Sequence, residues 1–220
     1  MPEVLGVVPL EGRGSLPFLD LHRETLFLHA VRALLEVNTL HRRVVVTIDD
    51  GQRSLAEAAL AKAQLPVPVT DAALWWRSLP GAVTVALHDP LCPLVPSAFL
   101  SACVEAVSDP GPHAGEQRPT GALVAFRPVT DTIKTVVDDH IVGTLDRDRF
   151  GIVASPAVFA HPGAGGPPPT SDFGDLTGWL RAAGPVELRK APSLGRRVDD
   201  PSAVNLLECM DEMARAVRER

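Results

Sequence analysis

Short aliphatic and β-branched runs at 4–10, 44–48, 83–87 and 122–126 alternate with stretches whose apolar residues recur at helical spacing. This alternation constrains the fold more than any other feature of the chain, because strands interleaved with helices form a mostly parallel sheet covered on both faces. The first run, from Val4 to Leu10, is apolar throughout and reads as a strand buried on both faces near the middle of that sheet. Leu28, Val31, Leu34 and Leu35 mark one face of a helix over 25–38. Residues 44–48 form a second strand. Ser54 and Glu57 then stand in capping-box spacing before an Ala-rich helix that runs to about Ala63. A weaker strand at 67–70 and helix at 72–79 lead to the strand at 83–87 and a helix at 97–107.

The rhythm changes after the strand at 122–126. Residues 132–137 and 141–145 are both β-rich and flank the polar turn Asp138-Asp139-His140, so they predict a projecting hairpin. Pro and Gly dominate 108–119 and 161–170, predicting a surface loop and a mobile cover or insertion. A capped amphipathic helix is expected over 172–183 and a last strand at 186–189. A terminal helix opens at Asp200-Pro201, with Val204, Leu207, Met210 and Val217 on its buried side.

The chain has 220 residues, a size that one α/β domain can occupy, and no run of about 20 apolar residues that could span a membrane. A net charge of −6 argues against nucleic acid as a partner, which would require a basic face. Cys92, Cys103 and Cys209 are too widely spaced for a disulfide framework or a paired zinc site and read as buried or incidental thiols. The N-terminus has no basic region ahead of its apolar run, so a cytoplasmic protein is expected.

Ligands of open parallel sheets lie beyond the carboxyl ends of strands. Three such segments carry a family pattern. His88-Asp-Pro-Leu-Cys-Pro resembles a His-Asp-Ala-Ala-Arg-Pro segment. Pro128-Val-Thr-Asp-Thr-Ile-Lys134, Thr144-Leu-Asp-Arg147 and Ser155-Pro-Ala-Val-Phe159 resemble a β-arm and the strand after it. Arg196-Arg-Val-Asp-Asp-Pro is similar to an Ile-Lys-Val-Thr-x-Pro closing motif, and His29-Ala-Val-Arg-Ala-Leu34 matches a first helix. In order and over nearly the whole length, these resemble the 2-C-methyl-D-erythritol 4-phosphate cytidylyltransferases.

The resemblance implies one nucleotidyltransferase-like, Rossmann-like domain over 1–220, doubly wound, with a β-hairpin arm at 128–148. It implies a homodimer whose arms exchange, and CMP transfer from CTP to the sugar-alcohol phosphate with Mg2+. Asp89 would face metal and substrate. Thr132, Lys134 and Arg147 would hold the substrate phosphate, and Gly12, Arg13, Gly14 and His88 the nucleotide. Arg13, Arg147 and Arg197 would supply catalytic positive charge. Two anionic partners must meet in this reaction, so cations placed in advance carry much of the catalysis.

The pattern departs from the family in the nucleotide half. The loop of the kind Gly-x-Gly-x-Arg-x-Gly followed by Pro-Lys is shortened here to Val8-Pro-Leu-Glu-Gly-Arg-Gly-Ser15. Leu16-Pro17-Phe18 brings no lysine, and Glu11 adds a negative charge where phosphate should lie. Losing one such cation costs on the order of a thousandfold in rate. The Gly-Gly-x-x-Arg-x-x-Ser segment that seats cytosine reads Thr70-Asp-Ala-Ala-Leu-Trp-Trp-Arg-Ser78, and Leu91-Cys92 replaces Ala-Arg. Trp75 and Trp76 could stack on a base or fill the core. Two functional classes follow: a cytidylyltransferase with reduced activity, or a catalytically degenerate homologue acting as a binding or regulatory subunit.

Overall fold

The computed structural model describes residues 3–40, 43–80, 83–108, 121–161 and 168–218. The loop expected at 108–119 lies outside the described residues apart from Ser108, and so do 162–167 of the expected cover.

Strand β1 (Val4–Pro9) is followed by a small hairpin, β2 (Asp20–Leu21) and β3 (Glu24–Thr25), then helix α1 (Leu26–Leu35). Next come β4 (Val44–Ile48), α2 (Arg53–Lys62), β5 (Val69–Asp71), α3 (Ala72–Ser78), β6 (Thr84–Leu87) and α4 (Ser97–Ser108). The second half contains β7 (Ala122–Pro128), β8 (Ile133–Val137), β9 (His140–Leu145), β10 (Gly151–Ala160), α5 (Phe173–Ala183), β11 (Val186–Lys190) and α6 (Ser202–Arg218).

Seven strands form one sheet in the order β11-β7-β10-β6-β1-β4-β5. β1 lies between β6 and β4, parallel to both, as its two-faced apolar sequence predicts, and β10 is antiparallel to β6 and β7. Alternate residues serve opposite faces. Val8, Val46 and Ile48 pack with α1, α2 and α4, while Val7, Val45 and Leu87 pack with Trp76 of α3 and with Phe173 and Leu176 of α5. Trp76 is buried and stacks on Phe159, so this tryptophan is core.

β8 and β9 form their own two-stranded sheet. Asp138 and Asp139 both take positive φ at its turn, the backbone that a tight two-residue hairpin turn requires. The arm is exposed along its length, including Val136, Val137, Ile141 and Val142.

Two local expectations fail. A 3-10 turn (Asp50–Gln52) carries the chain directly into α2, whose N-cap is Gln52 without a side-chain bond, so Ser54 and Glu57 lie inside the helix and form no capping box. On α6, Val204 and Leu207 are buried, but Val217 is 75% exposed because the last turns of the helix run out past the body.

Candidate functional site

The chain leaves β1 through α1 toward β4 on one side, whereas β6 lies on the other side of β1. The loops after β1 and β6 therefore diverge at a topological switch point, the place where such sheets bind ligands. Gly12 and Gly14 take φ of +72° and +54° in the first loop, a left-handed backbone that costs glycine nothing. Between them Arg13 folds inward and is only 5% exposed. Each of its three guanidinium nitrogens donates to a protein oxygen: Nε to Asp89 Oδ1 at 2.9 Å, Nη1 to the Glu11 carbonyl at 2.8 Å, and Nη2 to the Thr170 carbonyl at 2.8 Å.

Asp89 lies on the second loop and is buried. Its Oδ1 also accepts from the Leu91 amide at 3.1 Å, and its Oδ2 accepts from Arg197 Nε at 3.1 Å. Burial pushes its pKa up, but the Arg13 and Arg197 guanidiniums outweigh that and hold it below the usual carboxylate range. Arg197 reaches this point because the Val198 amide donates to the Leu91 carbonyl at 2.7 Å, tying the closing segment to the loop after β6. Arg197 also pairs with Asp199.

His88 is fully buried. Its Nδ1 pairs with Ser155 Oγ, which also accepts from the Asp89 amide at 2.9 Å, while Nε2 has no partner among the described residues. Burial, opposed by the nearby Asp89, draws its pKa down to about 4, so it is a neutral imidazole at physiological pH. Cys92 stands where the family pattern has arginine. It is buried, and burial followed by the proximity of Asp89 pushes the thiol pKa upward, leaving it protonated.

The structure thus brings together Arg13, His88, Asp89 and Arg197. It adds Thr47, Asp49, Gln52 and Thr170, which sequence reasoning did not single out. Glu11 turns inward, accepting from Thr47 Oγ1 at 3.1 Å and from Thr170 Oγ1. The Gly12 amide donates to Asp49 Oδ2 at 3.4 Å, and Gln52 Nε2 donates to the Gly14 carbonyl at 2.8 Å. Ser155 was quoted only as part of a motif, and no local signal pairs Thr170 with Glu11 across 159 positions.

The expected magnesium site does not fit this arrangement. Both Asp89 oxygens are committed to guanidiniums. Magnesium with phosphates typically needs one or two carboxylates of the protein facing it.

Thr132, Lys134 and Arg147 stay on the arm, all exposed. Lys134 Nζ donates to Thr144 Oγ1 at 2.7 Å across the hairpin, and Arg147 Nη1 donates to the Thr130 carbonyl at the arm's base. No hydrogen bond or ion pair joins these three to Asp89 or Arg197 among the described residues. Next to Arg197, however, a cleft of about 120 Å³ opens between the arm's base and the closing segment, lined among others by Arg127, Arg196 and Arg197 and by Asp131 and Asp199. Neither Arg127 nor Arg196 has an ion-pair partner among the described residues.

In the expected base-binding segment, Asp71 caps α3, its Oδ1 accepting from the Leu74 amide at 2.7 Å. Phe18, at the lysine position, packs on Phe27 with ring centroids 5.4 Å apart.

No established family profile matches the chain. A 2-C-methyl-D-erythritol 4-phosphate cytidylyltransferase of Streptomyces avermitilis is 30% identical over 179 residues, covering 70% of this chain and 68% of the relative. The same enzyme of Carboxydothermus hydrogenoformans is 36% identical over 84 residues, a match that spans 38% of this chain and 32% of that relative. Among solved structures, the 4-diphosphocytidyl-2C-methyl-D-erythritol synthase of Anaerococcus prevotii superposes with a TM-score of 0.72 at 12% identity, covering 96% of both chains. The cytidylyltransferase of Thermus thermophilus gives 0.67 at 19% identity over 96% of this chain and 99% of that one. Structural likeness at such identities establishes the sheet order and its helices. The Streptomyces relative establishes the kinship, and the chain belongs to the 2-C-methyl-D-erythritol 4-phosphate cytidylyltransferase family.

Proposed function

We propose that this family member binds a phosphorylated small molecule and has lost CMP transfer from CTP, acting as a binding or regulatory subunit. One observation carries the reading: Arg13 is buried with all three guanidinium nitrogens bound inside the protein, and Asp89 is closed between Arg13 and Arg197. A triphosphate would have to break that set before meeting a cation on the loop after β1. The lysine position offers no substitute, since Phe18 packs on Phe27.

The acceptor half supports binding. The cleft beside Arg197 is lined by three arginines, Arg127, Arg196 and Arg197, against two aspartates, Asp131 and Asp199, in a space of about 120 Å³, a size that suits a phosphate group. Guanidinium forks match phosphate oxygens in pairs, so a sugar-alcohol phosphate of the kind named for the relatives is the ligand class expected there. Arg147, Lys134 and Thr132 would join it from the arm of a second copy. The exposure of Val136, Val137, Ile141 and Val142 on the arm, each more than half exposed, supports such a homodimer. The reading is of a cytoplasmic protein. No helix among the described residues is long and apolar enough to cross a membrane.

The competing reading is a working cytidylyltransferase, which is favoured by Asp89 and Arg197 holding the family positions. Pyrophosphate release from CTP, magnesium and 2-C-methyl-D-erythritol 4-phosphate, measured beside an intact family enzyme, separates the two. Turnover within about a hundredfold of the intact enzyme would overturn the loss of transfer.

A further inference from the structure

The segment leading into α5 lies across the loop after β1. Thr170 is buried, and it makes two contacts to that loop: its carbonyl accepts from Arg13 Nη2 at 2.8 Å and its hydroxyl donates to Glu11. Ser171 is packed so close to Gly12 that a Cβ added to Gly12 would stand 2.5 Å from the Ser171 Cβ. Phe173 faces the same arginine, whose guanidinium carbon lies 5.7 Å from the ring centroid. Asp172 then caps α5, accepting from the Gly174 amide at 2.6 Å, which fixes the end of the segment to a helix. Four successive residues thus each make a contact that holds the strap in place.

These contacts are of the kind a polyphosphate would make or displace. A carbonyl oxygen and an aromatic face satisfy the guanidinium, a hydroxyl satisfies the carboxyl group of Glu11, and Ser171 occupies the space beside the glycine. We propose that residues 170–173 are an autoinhibitory strap that occupies the phosphate-binding loop from within, so that the loop accepts a polyphosphate anion only when the strap is released. The proposal rests on the reading that the nucleotide side is closed, and it adds what closes it.

The Thr170 hydroxyl makes the strap's side-chain hydrogen bond to the loop after β1, so this residue is the point of attack. Titration calorimetry with inorganic tripolyphosphate, and in a second arm with CTP, is run on the wild type and on Thr170→Gly, Thr170→Ala and Thr170→Ser. The wild type and Thr170→Ser, which keeps the hydroxyl, bind tripolyphosphate weakly or not at all. Thr170→Gly binds it at least tenfold more tightly, Thr170→Ala shows a smaller gain, and adding Arg13→Ala abolishes both gains. A gain with tripolyphosphate alone marks a general anion loop, and a gain with both ligands marks a nucleotide loop. The alanine variant, which lacks only the hydroxyl and its methyl, keeps the test valid if the glycine variant unfolds. Folded Thr170→Ala and Thr170→Gly proteins with wild-type affinity for both anions would overturn the strap. Tight CTP binding by the wild type would instead overturn the closed nucleotide side, so the two failures are distinguishable.

Discussion

Arg13 Nε lies 2.9 Å from Asp89 Oδ1, joining two residues 76 positions apart at the tips of the neighbouring strands β1 and β6. Both side chains are almost wholly removed from solvent. Removing one member of a buried pair leaves an uncompensated charge, which costs about 3–5 kcal/mol. Because Asp89 keeps Arg197, Arg13→Ala is expected to lose only the lower part of that range in urea unfolding, and Arg13→Ala/Asp89→Ala less than the sum of the single changes. Additive losses would mean that the two side chains do not act as a pair.

Stability should fall on acidification in two windows. His88 has a folded pKa of about 4 against an ordinary value of 6.5, lowered first by burial and partly restored by Asp89. The unfolded chain therefore takes up the proton first, so this contribution is fully present above pH 6.5 and is lost as pH falls toward 4, by about 3 kcal/mol. Asp89 is held below its ordinary 3.8, so its contribution persists above that value and is lost at lower pH. Urea midpoints across this range read both, and His88→Gln should flatten the upper window only. A wild-type midpoint that stays constant from pH 6.5 to 4 would contradict the buried neutral imidazole.

The arm carries exposed Ile141 (67%) and Val142 (61%) on β9. Replacing both with Glu should convert the proposed homodimer to a monomer by light scattering. The melting temperature of the body should change little, because neither side chain belongs to its core clusters. A variant that remains dimeric would place the interface elsewhere.

Arg127 and Arg196 line the cleft beside Arg197. Truncating either to Ala removes a charge-assisted hydrogen bond to phosphate, worth about 1.5–3 kcal/mol, so affinity for 2-C-methyl-D-erythritol 4-phosphate should fall about tenfold or more. Calorimetry at fixed ionic strength measures it, and unchanged affinity would remove the cleft from consideration.

Much of the fold was legible because it depends on local pattern. The aliphatic run at β1 requires burial on both faces, and β-rich arms around Asp138-Asp139 require a hairpin turn. The same reading named Asp89 and Arg197, which the fold brings into contact. It did not find their closure, because nothing near Arg13 in the chain announces partners at 89 and 170. Glu11 read as a charge facing phosphate, yet the fold turns it toward Thr47 and Thr170, where hydroxyls satisfy it. Ser54 and Glu57 had the spacing of a cap, but the turn at Asp50–Gln52 had already started the helix. Thr170 ended a stretch whose composition suggested mobility, and it is instead packed against the site.

The most direct test of the closed nucleotide side is isothermal titration of the wild-type protein with CTP and magnesium, followed by the sugar phosphate, beside an intact family enzyme. The account predicts no measurable heat with CTP and clear binding of the sugar phosphate. Micromolar CTP binding would contradict it and would return Arg13 and Asp89 to the service of nucleotidyl transfer.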